Sequence, residues 1–393
     1  MRIVIGSVIS AQPYSPGMVW NWMQHAVGLK RLGHDVVYVE EVPRELCVDA
    51  SGAPCPLESS ANLRSFCATM ERFGFLDRAC LIYAGGEATA GMSIDTLEKY
   101  SRQADVLLNI SGHVTHPRVV DAVRRRVYMD QDPVYTQLWR AEYKKTWNFD
   151  QHDAYVTVGL NIGTPHTPIP DCGIEWHRAL PPVLIDCWQD QPRPTDGCFT
   201  TVASWQAGLY DLQFRDEWYG SKSIEFERFA ALPTLVDQRF EVALRKNLPG
   251  DERVQLLRDR GWIVSDAGRI NSLTAYQDFI AGSRAEIGIA KNSYVKGRSG
   301  WFSDRTAHYL ANARPALAQA TGFERHLPTG QGLLSFASLE EAAEGVARIN
   351  RDYDAHCRAA RAIAEEFLDY RKVLPRLLED CMAGPTSPCP DRG

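Results

Sequence analysis

KGRSGWFSDRTAHYLANARPAL, residues 296–317, runs a glycine-bearing loop straight into a helix, then stops that helix at an Arg-Pro followed by apolar residues. Gly297 and Gly300 let the backbone bend close to a ligand. Ser303 or Asp304 is the expected N-cap, residues 306–312 read as helix, and Pro315 cannot continue it. Free N–H groups and the helix dipole converge at such a start, so the pattern suits a bound anion. The stretch also reads as loop, helix and strand start, the repeating unit of an α/β sheet.

Working outward, the same alternation recurs on both sides. CFTTVASW (198–205), RFEVALRK (239–246), GWIVSDA (261–267) and AEIGIAKN (285–292) read as buried parallel strands. Helices are expected near 223–231, 252–260, 274–283 and 304–313. PALAQ and LLSF follow, then a helical stretch from 339 to about 379 with an acidic start, in which Pro375 implies a kink or a second helix. In the first half RIVIGSVI is a strand, AQPYSPGM a loop, and VWNWMQHAVGLKRLGH a helix with Trp20, Met23, Val27 and Leu32 at helical spacing, ended by Gly33. DVVYVEE, ADVLLNISG (104–112), RRVYMDQ (125–131) and AYVTVGLN (154–161) are further strands. Residues 163–197 are proline-rich and aperiodic, an interdomain connection by composition. The expectation is α/β: two doubly wound Rossmann-like domains facing across a cleft, spanning 1–190 and 191–365. A helix and tail, 366–393, would pack back on the first domain. Ligands in such sheets bind at the carboxyl ends of the strands.

Composition narrows the function. The chain has 393 residues, 45% of them hydrophobic, enough for two cores. Lys and Arg total 43 against 49 Asp and Glu, a net charge of −6, which argues against a nucleic-acid or anionic-membrane partner. There is no apolar run long enough for a transmembrane helix, and MRIVIGSVIS reads as a strand, not a signal peptide. A cytoplasmic protein is expected. The ten cysteines form no C-x2-C or C-x4-C pair, so no structural zinc site is expected and all ten read as inert.

Two segments carry a resemblance. TGQGLLSFASLEEAAEGVARI (329–349) and ARPALAQATGFERHLPTG (313–330) resemble the nucleotide-sugar domain of glycosyltransferases of the two-Rossmann, GT-B type. The chain is more loosely similar to their bacterial group-1, spore-protein-like branch. The resemblance covers about 198–380, and 1–165 by strand order alone. It implies that the second domain holds a nucleotide diphosphate sugar, as substrate with no separate cofactor. The diphosphate would lie in a cradle of Arg298, Ser299, Gly300, Ser303, Asp304, Arg305 and Thr306. Many members place a Glu seven residues before the Pro, on the ribose. Here that residue is His308, and Asp304, one turn earlier on the same face, can substitute. The retaining members' Glu-x7-Glu pattern is absent.

Sugar transfer needs a base near the acceptor hydroxyl, positive groups on the leaving diphosphate, and a cleft that excludes water. Asp130 and Asp132 in YMDQDPVYTQLW (128–139) follow a strand and are candidate bases. Such a pair can also hold a divalent metal, but metal dependence is not the rule in the family it resembles, and none is expected here. His113, in LLNISGHVTHP (107–117), is a third catalytic candidate, with Gly112 permitting close backbone approach. Gly6 and Ser7 end the first strand and would face substrate. Lys222 in WYGSKSIEF reaches an anion at a helix start, with Lys246 and Lys291 as secondary candidates. Tyr14, Trp20, Trp22, Trp139 and Trp205 fall near cleft loops and suit a partly apolar acceptor. Each residue has a plainer reading: Asp132 capping a turn, Asp130 paired with an arginine, Lys222 at the surface, the glycine loop as a surface loop. The function expected is a metal-independent glycosyltransferase moving a sugar onto a hydroxyl- or amine-bearing small molecule or polysaccharide. The alternatives are a nucleotide-sugar epimerase of the same fold and a non-catalytic nucleotide-sugar sensor.

Overall fold

The computed structural model describes residues 1–145, 148–189, 192–194, 196–204, 211–245 and 250–384. Trp205 and Lys246 lie outside them. The first sheet holds Arg2–Ser7 (β1), Asp35–Val42 (β2), Ala79–Tyr83 (β3), Ala88–Gly91 (β4), Val106–Ile110 (β5), Arg126–Asp130 (β6), Ala154–Thr157 (β7) and Trp176–Arg178 (β8). Their order is β4-β3-β2-β1-β5-β6-β7-β8, parallel except where β4 returns antiparallel to β3. Phe199–Ser204 (β9) opens the second domain. Leu212–Phe214 (β10) and Glu217–Tyr219 (β11) form a small hairpin. Phe240–Arg245 (β12), Ile263–Asp266 (β13), Ala285–Gly288 (β14), Ala316–Gln319 (β15) and Leu333–Phe336 (β16) complete an all-parallel sheet, order β13-β12-β9-β14-β15-β16. Each sheet reverses strand order next to its first strand, at β1/β5 and at β9/β14, where a doubly wound sheet leaves its crevice.

The elements follow from their sequence. β1, β3 and β5 are continuous apolar runs because helices cover both faces of a parallel sheet. Helix Pro16–Arg31 begins with proline and ends with Lys30 and Arg31, as its dipole favours. Helix Ala61–Phe73 is capped by Ser60, which accepts from Leu63 N, and is closed by Gly74 in the left-handed region. The long C-terminal stretch divides into helices Leu339–Arg351, Tyr353–Ile363 and Tyr370–Met382. The break falls at a π turn over Ala364–Leu368, where Asp369 caps the last helix, and Pro375 sits inside that helix and does not end it. Leu374, Leu377, Leu378 and Cys381 of the last helix join the first domain's core beside Ile3, Met23 and Val106. Gly28 of the first helix admits them: a Cβ there would meet Leu374 Cδ1 at 2.5 Å.

The proline-rich connection is more ordered than its composition suggests. It supplies β8 as an edge strand, then a 3-10 turn over Ile185–Cys187, then a buried Trp188 at the seam between the domains. That Trp stacks on His308 at 4.5 Å between ring centroids and packs against Trp20.

Candidate functional site

A cleft of 430 Å³ lies between the carboxyl ends of the two sheets. The loop after β1, with Gln12 and Ser15, forms one wall together with Asn21, Trp22 and Gln131. The ends of β9 and β12, the starts of two short helices and the start of helix Asp304–Ala311 form the other.

Four cations meet there: Lys222, Arg245, Lys291 and Arg305. Lys222 begins helix Lys222–Arg228 and is buried, yet its ammonium makes no hydrogen bond or ion pair among the described residues. Burial above all, then the charges of Arg305 and Lys291, push its pKa well below the ordinary lysine value. Arg305 is held on the second sheet: Nε donates to Glu286 Oε1 (2.7 Å) and Nη1 to the Val202 carbonyl (2.9 Å). Its Nη2 has no partner among the described residues. Lys291 donates to both oxygens of Asp132 (2.8 and 2.9 Å) and lies over the rings of Tyr135 and Tyr294. Arg245 reaches across to the first domain, donating to Ser15 Oγ and to the Pro13 carbonyl (3.2 Å), and burial lowers its pKa. Asp304 is the one carboxylate among the lining residues. Burial raises its pKa against the pull of Arg305.

Two buried carboxylates hold this arrangement. Glu225 accepts from Asn292 Nδ2 (2.7 Å), Gln319 Nε2 (2.6 Å) and Arg228 Nη1 (2.6 Å). Asn292 in turn accepts from Gly220 N, and Gln319 from Ala290 N, so the backbone on both sides of Lys291 is pinned and the turn before Lys222 with it. In the first domain Glu40 accepts from Ile9 N and Ser10 N (2.8 Å each) and from the Tyr38 hydroxyl, fixing the loop that leads to Ser15. Fully satisfied networks of this kind rigidify what they hold.

The structure redistributes the sequence candidates. The glycine loop of the opening stretch faces the other domain, not the cleft. Gly300, at φ +75°, donates to the Thr321 carbonyl, and a Cβ there would meet Asn161 N at 2.7 Å and Leu160 Cβ at 3.0 Å. Asn161 N donates to the Ser299 carbonyl (3.0 Å), Asn161 Nδ2 to the Arg298 carbonyl (2.8 Å), and Gly159 bridges to Trp301. The two glycines serve interdomain contact, and the Arg298 side chain is exposed, outside the cleft lining. Ser299 is buried in the same contact. Ser303 caps the helix, accepting from Arg305 N (3.2 Å), and Thr306 is buried in its first turn. Of the proposed cradle, Ser303, Arg305 and Thr306 line a small cavity at the helix start, and Asp304 and Arg305 reach the cleft itself.

His308 does not line the cleft. It is buried in the seam, with Gln24 Nε2 donating to its Nε2 (2.9 Å) and Tyr276 Oη 3.2 Å from its Nδ1. Gln24 Oε1 is committed to Leu184 N and Trp188 Nε1, so the imidazole is neutral with Nδ1 protonated. Burial and Arg305 push its pKa down to about 3. Asp130 is buried and saturated, accepting from Asp132 N, Thr136 Oγ1, Gln137 Nε2 and Thr157 Oγ1 within 3.0 Å, which makes it an anchor of the 130–137 loop. Asp132 carries the interdomain ion pair to Lys291 and also accepts from Tyr294. His113 is exposed on the loop after β5, outside the cleft lining. Gly6 is a packing glycine under Val114, whose Cγ2 a Cβ would meet at 2.6 Å. Ser7 Oγ donates to Tyr38 Oη (2.9 Å) inside the Glu40 network, the Tyr38 proton being given to Glu40, and Gly112, at φ +67°, offers its carbonyl to Asn148. Lys222 is in the cleft, with Lys291 beside it. Arg245, Glu286 and Asn161 escaped the sequence reading. Arg245 sits in the same strand-end stretch, ALRKN, as the Lys246 it singled out.

Neither a family model nor a curated protein sequence matches the chain. Solved structures do. An alpha-glucosyltransferase solved with UDP and a 13-mer DNA containing an A:G mismatch superposes with a TM-score of 0.61 at 11% identity, over 97% of this chain and 99% of that one. HepE of Anabaena, solved with UDP-glucose, gives 0.58 at 10% identity, over 96% and 98%. AviGT4, a glycosyltransferase involved in avilamycin A biosynthesis, gives 0.53 at 12% identity, over 97% of each chain. Over almost its whole length, then, the chain has the two-domain fold of the GT-B glycosyltransferases.

Proposed function

We propose that the protein is a cytoplasmic glycosyltransferase that binds a nucleoside diphosphate sugar in the interdomain cleft and passes the sugar to an acceptor held against the first domain. The observation that carries this reading is the unpartnered ammonium of Lys222, on a largely buried side chain that lines the cleft together with Lys291 and Arg305, whose Nη2 is free. A buried charge without a partner is costly and persists where a ligand supplies the partner. A diphosphate is that partner by charge and by its many acceptor oxygens. Three similar structures point the same way: UDP is bound in the alpha-glucosyltransferase, UDP-glucose in HepE, and AviGT4 is a glycosyltransferase.

In this reading Lys222 and Arg305 take the diphosphate and stabilise the charge that develops as the sugar leaves, which protein cations do without a metal. Arg245 and Lys291 tie the two domains across the bound donor through Ser15 and Asp132. Asp304 faces the same space, where its carboxylate suits a sugar or ribose hydroxyl. Asp132, held by Lys291 and Tyr294 and outside the cleft lining, serves in that tie and not as base.

The test is calorimetric titration with UDP, GDP and TDP, followed by turnover of the matching sugar nucleotides with and without candidate acceptors. Acceptor-dependent release of nucleoside diphosphate supports the transferase. Acceptor-independent isomerisation of the sugar would make the protein an epimerase, and tight binding without turnover a sensor. No binding of any nucleotide defeats the proposal.

A further inference from the structure

A second cavity, of 410 Å³, opens beside the cleft. Helix Ala61–Phe73 turns one stripe to it, Arg64, Ser65, Ala68, Thr69 and Arg72, at the spacing that puts residues on one helix face. Val19 of the first helix and Leu273 at the start of helix Leu273–Ala281 form apolar walls from both domains. Tyr14, Ser15 and Pro16 line this cavity and the cleft alike, so the two volumes meet there. The size falls within the range of small-molecule pockets.

Its charge is one-sided. Arg72 is exposed and makes no hydrogen bond or ion pair among the described residues, while Arg64 gives one N–H to the Ser59 carbonyl (2.7 Å) and keeps the rest of its guanidinium free. No Asp or Glu is among the lining residues. Ser65, Ala68 and Thr69 are short, so the floor between the two arginines is open. A mostly apolar pocket with two free guanidinium groups at one side and a sugar-transfer cleft at the other selects a molecule of matching polarity.

We propose that this cavity is the acceptor pocket and that the acceptor is a hydroxyl compound with an apolar body and an acidic group, a carboxylate or a phosphate. The inference rests on the donor reading above. The apolar body lies along Val19 and Leu273, the acidic group takes hydrogen bonds from Arg64 and Arg72, and the hydroxyl reaches past Tyr14 to the donor. The acceptor oxygen then bonds to the anomeric carbon as the bond from that carbon to the diphosphate oxygen breaks. The diphosphate keeps the electron pair, and the hydroxyl proton passes to solvent water.

The test uses the full chain saturated with UDP and three probes titrated by calorimetry. 4-Hydroxycinnamate carries a carboxylate, 4-(hydroxymethyl)phenyl phosphate carries a phosphate, and 4-hydroxycinnamamide is the neutral control. At least one acidic probe is expected to bind about tenfold or more tightly than the amide, as charge-assisted hydrogen bonds allow, and the better of the two identifies the acidic group. The Arg64→Gln, Arg72→Gln double variant is expected to lose that preference with UDP affinity unchanged. Equal binding of acid and amide, a preference that survives in the double variant, or no binding of any probe overturns the proposal. Failure of UDP, GDP and TDP alike to bind refutes the donor reading instead, so the two failures are distinguishable.

Discussion

Replacing Lys222 with methionine removes the charge and keeps an unbranched side chain one atom shorter. In the ligand-free protein the ammonium has no partner to lose, so the variant sheds a desolvation cost and gives up no hydrogen bond. Exchange of an unpaired buried charge for an apolar group of similar volume is neutral to stabilising. A gain of about 1 kcal/mol raises Tm by roughly 2–4 °C in domains of this size. Donor binding moves the other way. Losing one hydrogen bond from a charged group costs about 1.5–3 kcal/mol, a weakening of UDP by about 10- to 150-fold. The pH dependence carries the same sign. Burial, Arg305 and Lys291 hold the lysine pKa well below its ordinary value, and a diphosphate beside it raises that pKa. Binding therefore takes up a proton between the free and bound pKa values, and affinity falls as pH rises through the free one. In the unfolded chain the lysine keeps its proton to about pH 10.4, so ligand-free wild type gains stability from this site as pH rises from the lowered folded pKa toward that value. The variant loses both slopes. Thermal melts with and without UDP, and calorimetry in two buffers of different ionisation enthalpy, read all of this. A variant that melts lower than wild type but binds UDP as tightly would refute the reasoning.

Four further outcomes follow from the same geometry. Arg298→Ala is expected to leave UDP affinity within about twofold by calorimetry, because its side chain lies outside the cleft lining. Gly300→Ala forces a Cβ against Asn161 and Leu160 at a positive φ, and is expected to lower stability by about 1–3 kcal/mol in urea unfolding. Asp130→Ala strands four donors, two of them buried, and about 3 kcal/mol of stability is expected to go with it in the same assay. His308 is held neutral with its pKa down to about 3, and His25 and His152 with theirs at about 4. Their unfolded forms take up protons near pH 6.5, so stability is full above that pH and falls on acidification from about 6.5 toward 4, by up to about 1.4 kcal/mol per pH unit for each. His308→Gln is expected to reduce that slope in pH-dependent urea titrations by close to one proton.

Many strands were legible because parallel strands buried on both faces leave continuous apolar runs, and RIVIGSVI, ADVLLNISG and AEIGIAKN all do, whereas Ala79–Tyr83, Ala88–Gly91 and Trp176–Arg178 were not read. Pro315 and Ser303 marked the ends of helix Asp304–Ala311 for the same local reason: caps and breakers act through their neighbours in sequence. The site was only half legible. Lys222 was found because it sits at a helix start after a glycine turn, a local signal. Gly300 was misread because a glycine needed for contact with Asn161 looks in sequence like a glycine needed for contact with phosphate. His308 was misassigned because the helix face it occupies turns toward Trp188 and Gln24, residues 120 and 284 positions away in sequence. The pairing of Asp132 with Lys291 across the domains, and the saturation of Asp130 by four donors, are tertiary facts with no counterpart in spacing.

The central claim is that the cleft around Lys222 and Arg305 holds a nucleoside diphosphate. Hydrogen–deuterium exchange of the full chain with and without saturating UDP tests it most directly. Slower exchange is predicted at three separate segments, the end of β9, the start of helix Lys222–Arg228 and residues 302–306, with little change on the far faces of either domain. Protection confined to other segments, or none with UDP, GDP and TDP alike, would contradict the account.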